Sequence, residues 1–504
     1  MSDDHPRGEM PASGSGSADG PDKSRGRQRL VRVGLTIAIL FMALFAVVAG
    51  WITYSVITDH WRQHHPWHYG LQVQTAVGVF TPITAFVAAG IAYTAARINR
   101  RNFEDQMIAD QERHKEERHR ETRRDLHARF TTVSAQLGSE ASMTRQAGVH
   151  AIAALADDWH AYDPTTGQIQ VCVDVLCSYL RRPWEPEHDS AAEERTVREA
   201  IHTVLRQHLQ PGASPSWSDC RLNLTGARLH DVNLGGAEIH CASFFGATFT
   251  GTTSFRGTQF TAAGHGHSID LSGTTFSTAD SLGIDFADSE FLAVEGGRID
   301  FLGARFQAFN RLDRIEFDRA KFNATGEDSE ISFSSAEFSA SGWNAGIRFS
   351  GAEFVADQEG KIGLSMTKFT ASGDDSWISF KGAKFRATGG GDISFSSSTF
   401  SAHPSAAGKD GKGSRIVFDG ATFSATATPQ RRSRISFMDA TFSAAEGSRI
   451  DFGSSTSYER TNFEGTGVIN FDHPREWVNV HVPWDDRDPP GVIRPRDWPP
   501  RARV

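Results

Sequence analysis

Large apolar residues between positions 222 and 471 recur in one short phrase. An aliphatic residue is followed two positions later by Phe, then by Ala after three more positions, then by Phe after another two. The phrase reads Ile299-Phe301-Ala304-Phe306 and returns from Ile315, Ile331, Ile347, Ile378, Ile416 and Ile435. One such unit cannot bury its apolar side chains alone, so the repeat predicts a solenoid whose stacked coils share a continuous core.

Each phrase covers two short steps and is followed by a variable insert, such as 323–330 or 403–414. The resulting period of roughly sixteen residues fits either a three-sided coil or a coil with three regular sides and a variable fourth. We favour the second winding and expect the inserts to line up along one edge, where binding surfaces of repeat proteins are often found. Stacking should place Phe over Phe and form aromatic ladders.

The first coils carry the clearest resemblance to a known family. They step by five residues and include Asn223-Leu224-Thr225-Gly226-Ala227-Arg228-Leu229 and Asn233-Leu234-Gly235-Gly236-Ala237-Glu238-Ile239. These segments resemble the Ala-(Asp/Asn)-Leu-X-X unit of the pentapeptide-repeat family, and the later Phe-X-Gly-Ala-X-Phe phrases are similar, with Phe in the central position. The resemblance implies a right-handed, roughly four-sided β-helix over 218–471. The stretch 129–148 also resembles a segment that precedes the repeats in membrane-anchored actinobacterial members.

Two uncharged apolar runs precede the repeats, and each is about 25 residues long, enough for a helix to cross the hydrocarbon core. We predict transmembrane helices at 31–57 and 71–96, joined by an extracytoplasmic loop at 58–70. A cleaved signal peptide is the alternative for the first run, but that run is long for such a role and a second run follows. The polar segment 1–30 predicts a disordered cytoplasmic tail.

Basic residues flank the pair of predicted spans on their outer sides, whereas the loop between them contains only Arg62. Because Lys and Arg are retained in the cytoplasm, both termini are predicted to be cytoplasmic, in a multi-pass protein of the cell membrane. Small residues at 88–92 offer a face for helix pairing within one chain or between two copies, so a homo-oligomer stays open.

The predicted loop contains four histidines, at positions 60, 64, 65 and 68. Imidazoles at this density suit a metal site or a pH sensor. The loop has only Asp59 as a carboxylate and is too short to converge its ligands easily. We therefore favour a polar hairpin anchored by Trp61 and Trp67 at the membrane surface.

Helical patterns occupy 97–210. Interleaved charges up to about residue 129 predict a solvated helix, and apolar residues at helical spacing predict further helices with breaks at 138–139 and 163–167. We interpret this region as a small helical adaptor at the mouth of the solenoid. The Pro- and Trp-rich tail 472–504 is predicted to end the ladder and to cover the last coil.

No catalytic, cofactor or metal residue is predicted, and we do not expect an enzyme. Gly264-His265-Gly266-His267 lacks the following Lys-Ser/Thr of a phosphate-binding loop. Its two histidines lie in a glycine loop and are expected to be exposed rather than part of a catalytic triad. Cys172 and Cys177 are five residues apart on a predicted helix and are interpreted as small core residues rather than zinc ligands. The four cysteines of the chain are expected to be free thiols.

Charge limits the class of partner. The net charge of −9 excludes a globally basic nucleic-acid binder. Residues 218–471 contain about 30 acidic and about 23 basic residues, far short of the charge density of a DNA duplex. The sequence therefore favours a membrane-anchored, non-catalytic scaffold for a cytoplasmic protein partner, with no nucleic acid bound. The alternatives are a DNA mimic acting on a topoisomerase and transmembrane signalling through the His-rich loop.

Overall fold

A computed structural model of the chain divides it into two compact units, residues 1–116 and 117–504. The structure describes residues 45, 48–56, 69–185, 191–278, 283–403, 413–427, 429–446, 448–452, 461–472, 474–478, 480–482 and 493–494, with side chains from 85 onward in the helix that begins at Tyr69.

The described part of the first unit is helical. Residues 48–56 form one helical stretch, and helix α1 (Tyr69–Leu137) begins in this unit and continues into the second. The predicted span 71–96 lies within α1, whereas the tail 1–30, most of 31–57 and the histidines of the loop lie outside the described residues. Among the helices that the structure describes, none is both long enough and apolar enough to cross a bilayer.

Three further helices complete the adaptor, α2 (Ser142–Tyr162), α3 (Gln168–Leu180) and α4 (Ala191–His208). The predicted breaks are confirmed, and Leu155, Leu176 and Ile201 are fully buried between the helices. The adaptor packs on the first coil, where His208 stacks on Trp217 with ring centroids 4.0 Å apart. Glu238 N–H of the first coil donates to the Leu209 carbonyl at 2.7 Å, directly after α4.

The rest of the chain is a parallel β-solenoid of the right-handed type. Its short strands form four sheets, and each coil passes through sheets A, B, C and D in that order.

Sheet A contains β1 (Arg221–Asn223), β4 (Cys241–Ser243), β8 (Ser268–Asp270), β12 (Arg298–Asp300), β16 (Glu330–Ser332), β20 (Lys361–Gly363), β24 (Asp392–Ser394), β28 (Arg434–Ser436), β32 (Val468–Asn470) and β35 (Ile493–Arg494). Sheet B contains β2 (Arg228–His230), β5 (Thr248–Thr250), β9 (Thr275–Ser277), β13 (Arg305–Ala308), β17 (Glu337–Ala340), β21 (Lys368–Ala371), β25 (Thr399–Ala402), β29 (Thr441–Ala444) and β33 (Glu476–Val478).

Sheet C contains β6 (Thr253–Ser254), β10 (Ile284–Asp285), β14 (Arg314–Glu316), β18 (Gly346–Arg348), β22 (Trp377–Ser379), β26 (Arg415–Val417), β30 (Arg449–Asp451) and β34 (Val480–His481). Sheet D contains β3 (Glu238–Ile239), β7 (Gln259–Ala263), β11 (Glu290–Val294), β15 (Lys321–Thr325), β19 (Glu353–Asp357), β23 (Lys384–Thr388), β27 (Thr422–Thr426) and β31 (Asn462–Gly465).

The register corrects the predicted winding. Ile299 pairs with Ile331 in sheet A, whereas Ile315 pairs with Ile347 in sheet C. One phrase therefore makes half a coil, and two phrases make a four-sided coil of roughly 31 residues. The prediction of three regular sides and one variable side is wrong, because all four sides carry regular strands.

The position of the inserts is also corrected. The insert 323–330 falls between sheets D and A, whereas 403–414, of which the structure describes the ends, falls between sheets B and C. These two corners are diagonally opposite in a four-sided coil. The inserts therefore follow two edges of the solenoid, and the expectation of a single edge is wrong.

Phenylalanine ladders fill the interior, as predicted. Phe301 stacks on Phe333 with centroids 4.4 Å apart, and both rings are buried. The corner between sheets A and B is a tight turn in which Ala304 N–H donates to the Phe301 carbonyl at 2.9 Å, while Gly303 adopts a φ of +64°. Ala is buried at such corners because a larger side chain would not fit beside the turning backbone.

The C-terminal tail behaves differently from the prediction that it ends the ladder. Its described residues add β33 to sheet B, β34 to sheet C and β35 to sheet A. Trp477 packs on Phe442 with centroids 5.1 Å apart, so it extends the aromatic ladder by one ring. The strands continue because backbone pairing on an open edge needs no repeat phrase.

Candidate functional site

The packed interior leaves the outer faces as the accessible surface of the solenoid. Rings, Ile and Ala side chains fill the coils from Leu222 to Ile493. Among the described residues, no group of three or more His, Cys, Asp or Glu side chains is placed to hold a metal ion. A ligand of the solenoid must therefore bind outward-facing side chains.

Outward positions on three faces alternate in charge from coil to coil. In sheet A five successive strands carry Arg298, Glu330, Lys361, Asp392 and Arg434 immediately before the inward Ile. In sheet D four successive strands carry Glu290, Lys321, Glu353 and Lys384 at the equivalent position. Sheet B contributes Arg305, Glu337 and Lys368. Opposite charges on neighbouring strands attract, so these rows neutralise themselves within the protein.

Sheet C breaks this alternation. The equivalent row consists of Arg314, Gly346, Trp377, Arg415 and Arg449, with no carboxylate between the arginines. Arg415 and Arg449 are direct neighbours, and like charges in that position are unfavourable. We define the Arg/Trp face as Arg311, Arg314, Trp343, Arg348, Trp377 and Arg415.

Trp377 is the centre of this face. Its indole lies flat against Gly346, where an added Cβ would be 2.3 Å from the ring. The guanidinium carbons of Arg314 and Arg348 lie 5.1 Å and 5.6 Å from the ring centroid. The indole N–H donates to the side-chain oxygen of Asn344 at 3.3 Å. Glycine is required at 346 because any side chain would displace the ring.

The adjoining corner between sheets B and C adds exposed apolar and cationic groups. Arg311 lies over the Trp343 ring, with its guanidinium carbon 4.4 Å from the centroid. Trp343 is 44% exposed and Leu312 is 48% exposed. Their backbones are joined by a hydrogen bond from Leu312 N–H to the Trp343 carbonyl at 3.0 Å. The face therefore presents aromatic surface and cations together.

The arginines of this face differ in how they are paired. Arg348 makes ion pairs with Glu316 at 3.3 Å and Asp318 at 3.0 Å. Among the described residues, Arg314 donates to two main-chain oxygens, those of Asp313 at 2.9 Å and of Asn344.

Burial lowers the pKa of Arg314 and the positive charge of Arg348 lowers it further, whereas the charges of Glu316 and Asp313 oppose the shift. Within the described part of the chain, Arg311, Arg314 and Arg415 make no ion pair with a carboxylate. A negative charge from outside would stabilise the charged form of Arg314 and offset the repulsion from Arg348.

A shallow polar cleft of about 540 Å³ lies where the adaptor meets the first coils. His240 hydrogen-bonds Asp219 at 2.7 Å there, and His267 lines the same cleft. Its lining residues include Gln170, Asp174, Asp219, Arg221, His240 and His267.

The residues singled out in the sequence lie apart from the Arg/Trp face. His265 and His267 are exposed, as predicted. Cys172 and Cys177 are fully buried, and burial raises the pKa of each thiol to about 12, so both are inert core residues. All four cysteines are free, as expected.

Sequence reasoning missed the Arg/Trp face. The signal was present in the residue before Ile in alternate phrases, which is Arg314, Gly346, Trp377, Arg415 or Arg449. It becomes visible only when phrases are grouped in pairs, because adjacent phrases belong to opposite faces.

Comparison with known proteins adds no relative. The chain matches no protein-family model, and no curated protein or solved structure is significantly similar to it. The resemblance to pentapeptide repeats therefore stays a prediction.

Proposed function

We propose that the protein is a membrane-anchored, non-catalytic interaction module of the pentapeptide-repeat type whose Arg/Trp face binds another protein. The observation that carries the proposal is that Arg314 and Arg415, which make no ion pair with a described carboxylate, share a row of sheet C with Trp377 beside the exposed ring of Trp343. Trp and Arg are the residues most enriched among those that dominate protein interfaces. A stiff solenoid holds them in fixed positions, which lowers the entropic cost of binding.

Exposed apolar side chains support the membrane anchor. In the first unit, Phe86 is 80% exposed, Tyr93 is 68% exposed and Trp51 is 69% exposed. Such side chains on uncharged helical segments are stable in lipid and unfavourable in water. The positive flanks of the two apolar runs favour a cytoplasmic position for the solenoid.

Charge alternation argues against duplex mimicry. A DNA mimic presents continuous rows of negative charge, whereas carboxylates in sheets A and D alternate with Lys or Arg. We therefore retain protein binding as the proposed function.

Photo-crosslinking in living cells tests the proposal. A photoreactive benzoylphenylalanine at position 343 should form a covalent adduct with a partner protein, whereas the same group at exposed position 361 in sheet A should not. The substitution Arg415→Gln should reduce the adduct at position 343. Equal adducts from both positions, or none from position 343, would contradict the assignment of the binding face.

A further inference from the structure

We infer that the Arg/Trp face recognises an extended acidic segment of its partner, with carboxylates four residues apart and an apolar residue midway. This inference rests on the proposed function and names the chemistry of the segment bound. It follows from three properties of the face: the guanidinium groups of Arg314 and Arg415, which make no ion pair with a described carboxylate, the aromatic surface, and the spacing set by the coils.

The guanidinium groups select carboxylates. Arg314 is held in place by two main-chain oxygens and by the Trp377 ring, so its remaining N–H groups have a fixed direction. A planar guanidinium with a fixed orientation binds a carboxylate through two parallel hydrogen bonds. Arg415 is exposed on the other side of Trp377 and makes no ion pair with a described carboxylate.

The coil spacing sets the distance between the two carboxylates. Arg314 and Arg415 lie three strands apart in sheet C, and strands about 4.8 Å apart place them about 14 Å from each other. An extended peptide rises about 3.3 Å per residue, so its residues i and i+4 are about 13 Å apart and point to the same side. Residue i+2 then lies near Trp377, where an apolar side chain would cover the indole.

The surroundings of the face disfavour larger polyanions. Glu316 and Asp318 flank the arginines and are themselves partly exposed. A nucleic acid or an anionic bilayer would bring many negative charges against these carboxylates, whereas a short segment with two acids would not. Exposed Leu312 and Trp343 also suit a peptide with apolar side chains.

Fluorescence anisotropy with the full chain in detergent micelles tests the inference. The probe is a labelled peptide containing Glu-Ser-Leu-Ser-Glu, and the control peptide contains Gln-Ser-Leu-Ser-Gln. Arg314→Gln and Arg415→Gln should each weaken binding of the probe by about ten-fold or more. Arg305→Gln, on sheet B, should change the affinity by less than about two-fold.

Two glycine variants separate loss of the face from loss of the fold. Gly346→Ala should displace Trp377 and weaken binding, because its Cβ would overlap the ring. Gly363→Ala occupies a strand of sheet A, where the nearest atom would be 3.3 Å away, and should bind normally. Thermal unfolding of every variant is measured alongside to confirm folding.

Several results would overturn the inference. Equal affinity of the two peptides would do so, as would equal affinity of wild type, R314Q and R415Q. Binding of phosphatidylserine vesicles or single-stranded RNA that depends on Arg314, without binding of the peptide, would assign a different ligand. If crosslinking from position 343 persists while the acidic peptide fails, this inference falls and the proposed function stands.

Discussion

Phe317 shows at the scale of one residue what stabilises the solenoid. Its ring stacks between Phe286 at 4.8 Å and Phe349 at 4.7 Å, with planes within 5° of parallel. Phe306 meets its edge at 5.4 Å. The ring therefore contacts the coil before, its own coil and the coil after. Removing it affects three coils at once, because repeats are stabilised mainly by contacts with their neighbours.

The substitution Phe317→Ala should lower the free energy of unfolding by about 3–5 kcal/mol, since the site is fully buried and the neighbouring rings cannot close the cavity. Chemical denaturation followed by circular dichroism measures the change. Thr370→Ala, on the outer face of sheet B, is the control and should change stability by less than about 0.5 kcal/mol. A loss below about 1 kcal/mol at position 317 would contradict a tightly packed core.

His202 gives a second prediction at this scale, on pH. Burial lowers the pKa of His202 from 6.5 to about 4, with Arg198 as a further cause, while Asp231 opposes the shift. The unfolded chain therefore binds this proton more tightly than the folded chain. Above about pH 6.5 His202 is neutral in both states, so the free energy of unfolding does not depend on this group. As the pH falls from 6.5 towards 4, the unfolded chain takes up the proton first, and the free energy of unfolding decreases by up to about 3 kcal/mol.

Urea denaturation between pH 7 and pH 4 measures this dependence. The variant His202→Leu should show a flatter profile over the same interval, because it cannot take up the proton. A profile as steep as that of wild type would assign the pH dependence to other groups.

Rows of alternating charge act at the scale of the sheet. Glu353 lies between Lys321 and Lys384 in sheet D, and its carboxylate pairs with the Lys384 ammonium at 2.6 Å. The hydrogen bond from Lys384 lowers the pKa of Glu353. Each such pair is partly exposed and contributes little to stability on its own. The row stabilises the sheet through the sum of many similar pairs along the coils.

The substitution Glu353→Lys should place three cations on adjacent strands and destabilise the solenoid by about 0.5–2 kcal/mol. The effect should shrink when salt is raised, because screening weakens repulsion between exposed charges. Denaturation at low and high ionic strength measures both quantities. Glu353→Gln is the matched control, which removes attraction without adding repulsion and should cost less.

At the same scale, the sequence predicts the ladders but not the winding. Ile299 and Ile315 start identical phrases, and the inward residues of sheets A and B repeat in sheets C and D. Inward positions therefore show a half-coil period, because each half of the coil meets the same packing requirement. Sheets A and C differ in their outward residues, for example in the rows that contain Arg298 and Arg314. Solvent does not require any particular residue at these positions, so they carry no repeating pattern that would reveal the winding.

For the same reason the Arg/Trp face could not be read from one phrase. Trp377 precedes Ile378 in a phrase whose inward residues are ordinary, and its contacts with Arg348 and Arg314 come from coils roughly 30 and roughly 60 residues earlier in the chain. The sequence does not predict the strands of the tail, because Trp477 and Ile493 lie outside any phrase. In the structure each of them pairs with a residue of the preceding coil.

For the whole molecule, the predicted anchor and the solenoid define a topology across the membrane. In the proposed topology the positive flanks of both apolar runs stay in the cytoplasm, so the solenoid should be protected in intact cells. Protease added outside should leave a tag after residue 504 intact, and permeabilised cells should lose exposed parts of the chain. Loss of the tag in intact cells would contradict the membrane topology.

Because a single phrase completes only half a coil, the solenoid cannot be lengthened by one phrase without changing the side on which the later strands lie. Duplicating one phrase within the row, for example 347–361, would turn every later strand to the opposite side of the molecule. The arginine and tryptophan row would then be divided between two sides, although the inward phenylalanines would still stack on one another. Lengthening or shortening of this chain in evolution is therefore compatible with a continuous recognition surface only when phrases are gained or lost in pairs.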